Sequence, residues 1–242
     1  MEKKVFLLSG VLLLVGLYCS PAFAGDAMGP PTAGLTTGQF RVGLDYAWSE
    51  SDVELSYGGT SVTAKNAEAN RILANLGYGV TDDLEVYIRL GGANLEQDEF
   101  DGDYGFAYGF GTKVTLAKDS NPSWGALFQI GWTKSEDTYT DTVFGFGKID
   151  MEADFYEIQI AAGPTYEMQG WCIYGGPMLY FLDGDLDVKT GRGSISIDIE
   201  EESCFGGYVG AEFDLAQNCL AYVEGQFTSD AVLVGTGVAW KF

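Results

Sequence analysis

The sequence predicts an all-β protein, an antiparallel up-and-down transmembrane β-barrel of about ten strands, with eight or twelve also compatible. Three observations predict it. Period-two alternation of apolar and polar residues recurs from Phe40 to Phe242. The alternating segments are joined by connections that are short and long in turn. After Ala24 no apolar run is long enough to cross a membrane as a helix.

The chain of 242 residues opens on a secretory leader, 1–24. Lys3 and Lys4 give the positive start and Val5 to Leu17 the short apolar run. Ala22, Phe23 and Ala24 supply the small-x-small pattern that precedes cleavage. Residues 25–38 are rich in Gly, Pro and Thr and are expected to be a flexible lead-in. The barrel domain then occupies 39–242.

The first strand is the clearest. Phe40, Val42, Leu44, Tyr46 and Trp48 fall on one face, and Arg41, Gly43, Asp45, Ala47 and Ser49 on the other. The pattern returns around Ile72–Tyr78, Leu84–Leu90, Phe106–Leu116, Trp124–Trp132, Tyr156–Tyr166, Trp171–Phe181, Gly207–Leu215, Ala221–Phe227 and Val232–Phe242. Its phase sets Val114 and Ile160 toward lipid, and Gly111 and Gln159 toward the lumen. Short connections lie at Thr81–Asp83, Lys118–Ser123, Glu167–Gly170 and Ala216–Cys219. Long ones run through Glu50–Asn70, Glu96–Tyr104, Lys134–Asp154 and Asp183–Ser203, parts of which alternate and are expected to be hairpins beyond the membrane. An even strand count puts both termini on the short-turn side.

A soluble barrel also alternates, with the apolar face inside. Glycine and alanine choose between the two. They crowd the polar phase at Gly43, Ala47, Gly77, Gly109, Gly111, Gly131, Gly163, Gly210 and Gly237. That suits a narrow interior and would only weaken a solvated face. Aromatic residues sit at both ends of the apolar phase, as Trp124 and Trp132 or Trp171 and Phe181 do. At roughly 3.3 Å per residue and a tilt near 40°, such pairs stand roughly 20–25 Å apart, close to the apolar band between two aromatic girdles.

The last strand carries Val238, Trp240 and Phe242 at alternate positions, with Val234 before them and Thr236 interrupting the series. This resembles the C-terminal signature of bacterial outer-membrane β-barrel proteins, over about Gln39 to Phe242. The resemblance implies location in the outer membrane with both termini periplasmic. It implies contact with outer-membrane lipid, and recognition of the last strand by the barrel-assembly machinery. It names no activity.

The net charge of −22 becomes −23 once Lys3, Lys4 and Glu2 are removed, which excludes a nucleic-acid partner. Histidine is absent, so Ser-His-Asp and Cys-His catalysis and histidine metal ligands are excluded. No enzyme activity and no cofactor are expected. The lumen phase sets Arg41, Arg71, Arg89 and Lys113 against Asp45, Glu85, Glu157, Glu212 and Glu224. This set is expected to be a charge network that fills a narrow bore, the other reading being a selectivity ring. Asp183-x-Asp185-x-Asp187 has the opening spacing of a calcium loop. It lacks the glycine at the sixth position and has Ser194 at the twelfth, so any metal held there is expected to bind weakly. Cys172 and Cys219 lie near short turns, and a disulfide between them is left open. The function these features favour is a structural or surface-interaction barrel with acidic extracellular loops. The alternative is a narrow, cation-preferring channel for small solutes.

Overall fold

The computed structural model describes residues 25–57, 60–97, 100–101, 103–118, 121–141, 147–191, 193–200 and 205–242. The leader expected at 1–24 lies outside them. The strands are β1 (Phe40–Tyr57), β2 (Thr60–Thr81), β3 (Leu84–Gln97), β4 (Phe100–Asp101), β5 (Gly105–Ala117), β6 (Ser123–Asp141), β7 (Gly147–Met168), β8 (Trp171–Thr190), β9 (Gly193–Glu200), β10 (Phe205–Ala216), β11 (Cys219–Phe227) and β12 (Ala231–Lys241). Ten of them pair antiparallel in sequence order and close as a barrel, while β4 and β9 are the return arms of hairpins. The seam joins β1 to β12 from Arg41–Lys241 to Ser51–Ala231. Phe40 and Phe242 extend it by exchanging backbone hydrogen bonds of 3.1 and 2.8 Å.

Burial follows the alternation. On β2, Arg71, Leu73, Asn75 and Gly77 are buried while Ile72, Ala74, Leu76 and Tyr78 are exposed. Ile160 is 42% exposed and its neighbour Gln159 only 2%. Gly111 is buried; Val114 shares the outer face with exposed Phe110 and is half-buried. The outer face is a belt of Leu, Ile, Val and aromatic side chains, which is stable only against lipid. Its rims are aromatic. Phe40 packs tilted against Tyr78 (4.9 Å) and Trp171 stacks near Phe213 (6.3 Å) at the short-turn end, and Tyr108 stacks on Trp132 (5.3 Å) at the other.

Most of the long connections are continuations of the strands. β7 and β8 run for 22 and 20 residues, about twice the 9–11 a tilted strand needs to cross a bilayer. The outer phase of β8 reads Ile173, Leu179, Phe181 and then Asp183, Asp185, Asp187. Its inner phase stays buried throughout, as Tyr174, Met178, Tyr180, Leu182, Leu186 and Val188. β7 changes at the same level, between Tyr156 and Asp154. Above this line the wall has the polarity of a water-soluble protein.

The barrel narrows there as well. β10, β11 and β12 stop near Phe205, Phe227 and Ala231. Above them β9 leaves β8 and pairs with β1 through Leu55–Ile199, closing a smaller upper storey. That storey is filled by Ile149, Met151, Phe155, Leu182, Leu186, Val188, Ile197 and Ile199, all buried in one apolar cluster with Ala69 and Leu95.

Candidate functional site

The lower storey holds the charged residues that the sequence places on the lumen face. Arg41 bonds Glu85. Arg71 grips Glu157 with both guanidinium nitrogens, at 2.7 and 2.8 Å, and Tyr180 donates to the same carboxylate at 2.6 Å. Arg89 lies 3.6 Å from Asp45, which also accepts from Asn75 at 3.1 Å. Lys113 stands over the Tyr87 ring, 5.7 Å from its centroid. All of these are buried, whereas Glu212 is half-buried. Buried charges require such partners, because an isolated one costs several kcal/mol.

Glycine makes room for the crossings. Tyr87 on β3 faces Gly111 on β5, which faces Gln129 on β6, and the Tyr87 hydroxyl passes over the glycine to donate to Gln129 at 2.7 Å. The same order recurs as Tyr174, Gly210 and Glu224 on β8, β10 and β11. It recurs again as Tyr222, Gly237 and Asp45 across the seam. A side chain at Gly111, Gly210 or Gly237 would overlap the tyrosine ring.

The centre of the lumen is occupied by the segment expected to be a flexible lead-in. Gly25 to Gln39 enters from the short-turn end and climbs inside the barrel as a plug. Its base is fixed at Asp82, whose carboxylate accepts from the Thr37 amide and hydroxyl at 2.9 and 2.8 Å. These two bonds hold the Asp82 carboxyl below its ordinary pKa. Leu35 is buried, and the Gly34 amide donates to Glu85 at 2.9 Å. The Thr32 and Thr165 hydroxyls meet at 3.0 Å. Higher up, Glu224 accepts from the amides of Met28 and Gly29 at 2.7 and 2.8 Å, and from Gln226 at 2.8 Å. Among the described ion pairs none involves Glu224, so its partners are these amides and the Gln226 carboxamide. At the tip Asp26 reaches Arg71 and Arg89 at 3.3 and 3.7 Å. Its carbonyl accepts from Gln129 and Gln226, and Arg89 donates to the Ala27 carbonyl at 2.5 Å.

The segment stays out of regular structure for a local reason. Gly29 holds φ at 72°, and Pro30 and Pro31 have no amide to give a ladder. The composition thus describes coil correctly and says nothing of where the coil lies. The missed plug residues left no trace in the charge count, because Arg41, Arg71, Arg89, Lys113 and Lys241 balance Asp45, Glu85, Glu157, Glu212 and Glu224 on the lumen phase. Two voids among the described lumen residues have volumes of about 20 and 10 Å³, the size of single waters.

No family model and no curated protein sequence matches the chain. Solved structures do match. The translocator domain of autotransporter NalP from Neisseria meningitidis aligns at 10% identity and a TM-score of 0.50, covering 86% of this chain and 90% of that one. The outer-membrane protease OmpT from Escherichia coli aligns at 11% identity and a TM-score of 0.51, covering 90% of this chain and 99% of that one. The fold is that of the bacterial outer-membrane β-barrels. At such identity the likeness extends to the fold alone.

Asp183, Asp185 and Asp187 lie outside the lumen, on the outer wall of the upper storey. Being alternate residues of a strand, they form a row along β8 instead of curling around one point as a calcium loop does. Asp185 faces Asp154 on β7 and Asp198 on β9. Burial of its carboxyl, slight as it is, and the neighbouring Asp198, Asp187, Asp183 and Asp154 raise its pKa. Cys172 and Cys219 are free thiols. Cys172 shares the inward phase of Tyr174, Cys219 the outward phase of Ala221 and Val223, and β10 lies between their strands. Val238 and Trp240 lie on the outer face of β12 at the seam, next to Phe242.

Proposed function

We propose that the protein is an outer-membrane barrel with a structural or surface-interaction role, closed to solutes, with its acidic upper storey extracellular and both termini periplasmic. The observation that carries this reading is the double closure of the lumen. Below, a polar plug is hydrogen-bonded to the wall; above, the smaller storey is packed with apolar side chains. A conducting pore needs a continuous wet path, and wide channels belong to barrels of 16 to 18 strands. The alternation of short turns and long hairpins supports the orientation, since outer-membrane barrels keep short turns on the periplasmic side. Lipid is the partner of the apolar belt, and the assembly machinery that of the strand bearing Val238, Trp240 and Phe242. The lack of histidine supports a non-enzymatic role without a cofactor.

Conductance of the refolded protein in a planar bilayer tests the proposal. The expected trace is flat or shows only brief small-ion leakage. Stable conductance steps would overturn the closed reading in favour of a narrow cation channel.

A further inference from the structure

We propose that a recess beside the plug, at the short-turn end, binds short zwitterionic peptides, with Lys118 holding the carboxylate and Glu167 the amine. The recess has a volume of about 600 Å³, within the range of small-molecule sites. Thr32 and Ala33 of the plug line one side of it, and Thr115, Lys118, Ser123 and Glu167 of the wall line the other. Both sides are held in place. The Ala33 amide donates to the Thr115 hydroxyl at 3.1 Å, and the Thr32 and Thr165 hydroxyls meet beside it. The Asn121 carboxamide donates to the Glu167 carbonyl at 2.8 Å and accepts from the Glu167 amide at 3.1 Å, which ties the approach to β6 to the end of β7.

The polar groups have capacity to spare. Lys118 donates to the Asp82 carbonyl at 3.0 Å and to the Asp83 carboxylate at 3.2 Å, and an ammonium has three donors. Among the described ion pairs none uses Glu167, whose side chain is exposed to the recess. A donor that keeps one free proton and a carboxylate with free lone pairs match a ligand bearing both charges. Their separation sets its length. β6 lies between β5 and β7, so Lys118 and Glu167 stand two strand spacings apart, about 10 Å. A single amino acid is too short to join them, whereas three extended residues span about 10 Å. Free short peptides and the peptide stems of the cell wall share this chemistry. The choice between these sources rests on the periplasmic orientation proposed above; the binding itself does not.

Calorimetric titration of the refolded protein with trialanine tests the site. Saturable binding of one peptide is expected. N-acetyl-trialanine, which lacks the ammonium, and trialaninamide, which lacks the carboxylate, should each bind about tenfold more weakly, the scale of one charge-assisted hydrogen bond. Alanine alone should lose at least as much. Glu167→Gln should weaken trialanine about tenfold and leave N-acetyl-trialanine unchanged; Lys118→Gln should weaken trialanine by a similar factor and leave trialaninamide unchanged. Both side chains are exposed, so neither exchange threatens the fold. No binding of trialanine, or an equal loss for all three peptides in either variant, would overturn the proposal. Sedimentation with purified cell-wall sacculi assigns the source. Co-sedimentation that trialanine displaces supports the cell-wall stems, and trialanine binding without co-sedimentation supports free peptides. A barrel that conducts and still binds trialanine would overturn the closed reading alone, and a silent barrel that ignores trialanine would overturn only the site.

Discussion

Glu224 and Met28 are 196 residues apart in the chain, yet the Met28 amide donates to the Glu224 carboxylate at 2.7 Å in the middle of the barrel. With the parallel bond from Gly29, this makes a buried anion the main anchor of a coil that has no secondary structure of its own. Each charge-assisted hydrogen bond contributes about 1.5–3 kcal/mol, and each amide left dry and unpaired costs a similar amount. The anchor therefore predicts a graded response. Glu224→Leu should release the plug and lower stability by about 3–5 kcal/mol. Glu224→Gln keeps an acceptor oxygen and should cost less. Urea unfolding in lipid bilayers, followed by tryptophan fluorescence, measures both. Equal stability of all three proteins would show that the plug is not anchored there.

The lipid-facing phase predicts a depth profile. Ile160 lies on the outer face four residues below Tyr156, within the apolar belt, whereas Asp185 lies on the outer face above it. A positive charge near the bilayer midplane costs about 2–4 kcal/mol and near the interface about 0–1 kcal/mol. Ile160→Arg should accordingly be the more damaging change. Asp185→Arg should be neutral or stabilising, since it also relieves the repulsion from Asp154 and Asp198. Unfolding midpoints in bilayers compare them. If Ile160→Arg is harmless, the belt does not face lipid.

Both faces of this wall were legible in the sequence, because a strand has a period of two and a one-residue error inverts every position. Arg71, Glu85, Arg89 and Glu157 could be assigned inward from their neighbours alone. The apolar outer phase of β8 ends at Asp183, Asp185 and Asp187, and the alternation of Ser194 to Ile199 beyond them points to a hairpin above the membrane. Its inner phase, Leu182, Leu186 and Val188, kept the same period past that point and marks it as strand. The pairing of β9 with β1 joins residues far apart in sequence, and no local pattern encodes it. The plug was hidden for a different reason. Gly29, Pro30 and Pro31 predict coil, and coil carries no period from which burial could be read.

Two carboxyls outside the membrane should respond oppositely to acid. Asp82 is held below its ordinary pKa by Thr37, so its contribution is present above the unfolded value and is lost as pH falls through the folded one. Acid should loosen the base of the plug. Asp185 is raised, so its charged form weakens the wall at neutral pH, and protonation relieves it as pH falls through the raised value. Asp82→Asn should abolish the loosening, and Asp185→Asn should abolish the relief. Amide hydrogen exchange at Thr37 and on β8, followed from neutral to acidic pH, separates the two. The same sign at both places would contradict the assignment.

The acidic wall also bounds metal binding. Its carboxylates are spread along and across strands, where successive same-face residues stand about 7 Å apart, too far for one ion to be held by a full ligand set. Calorimetry with calcium should find no site tighter than about 10⁻⁴ M, the range of weak extracellular modules. A submicromolar site would give the row Asp183, Asp185 and Asp187 a specific role.

The two closures make a prediction that neither would make alone. Deleting residues 26–37 removes Asp26, Met28, Thr32 and Leu35 from the lower storey and leaves a polar recess open at the short-turn end. The upper storey loses only Met28 from its apolar cluster, which keeps Phe155, Leu182, Leu186, Ile197 and Ile199. The deletion should therefore give a stable barrel that still does not conduct, with Lys113 newly reactive toward an impermeant amine reagent. Adding Phe155→Ala and Leu186→Ala to the deletion should cost about 5–10 kcal/mol by cavity formation. It should also turn the dry tier into a wet one, and conductance steps should appear only then. Because Glu224 would then face the lumen without the plug amides, the current should favour cations, and Glu224→Gln in that background should reduce the preference. Conductance in the deletion variant alone would mean that the upper storey is no barrier and that the plug is the sole closure.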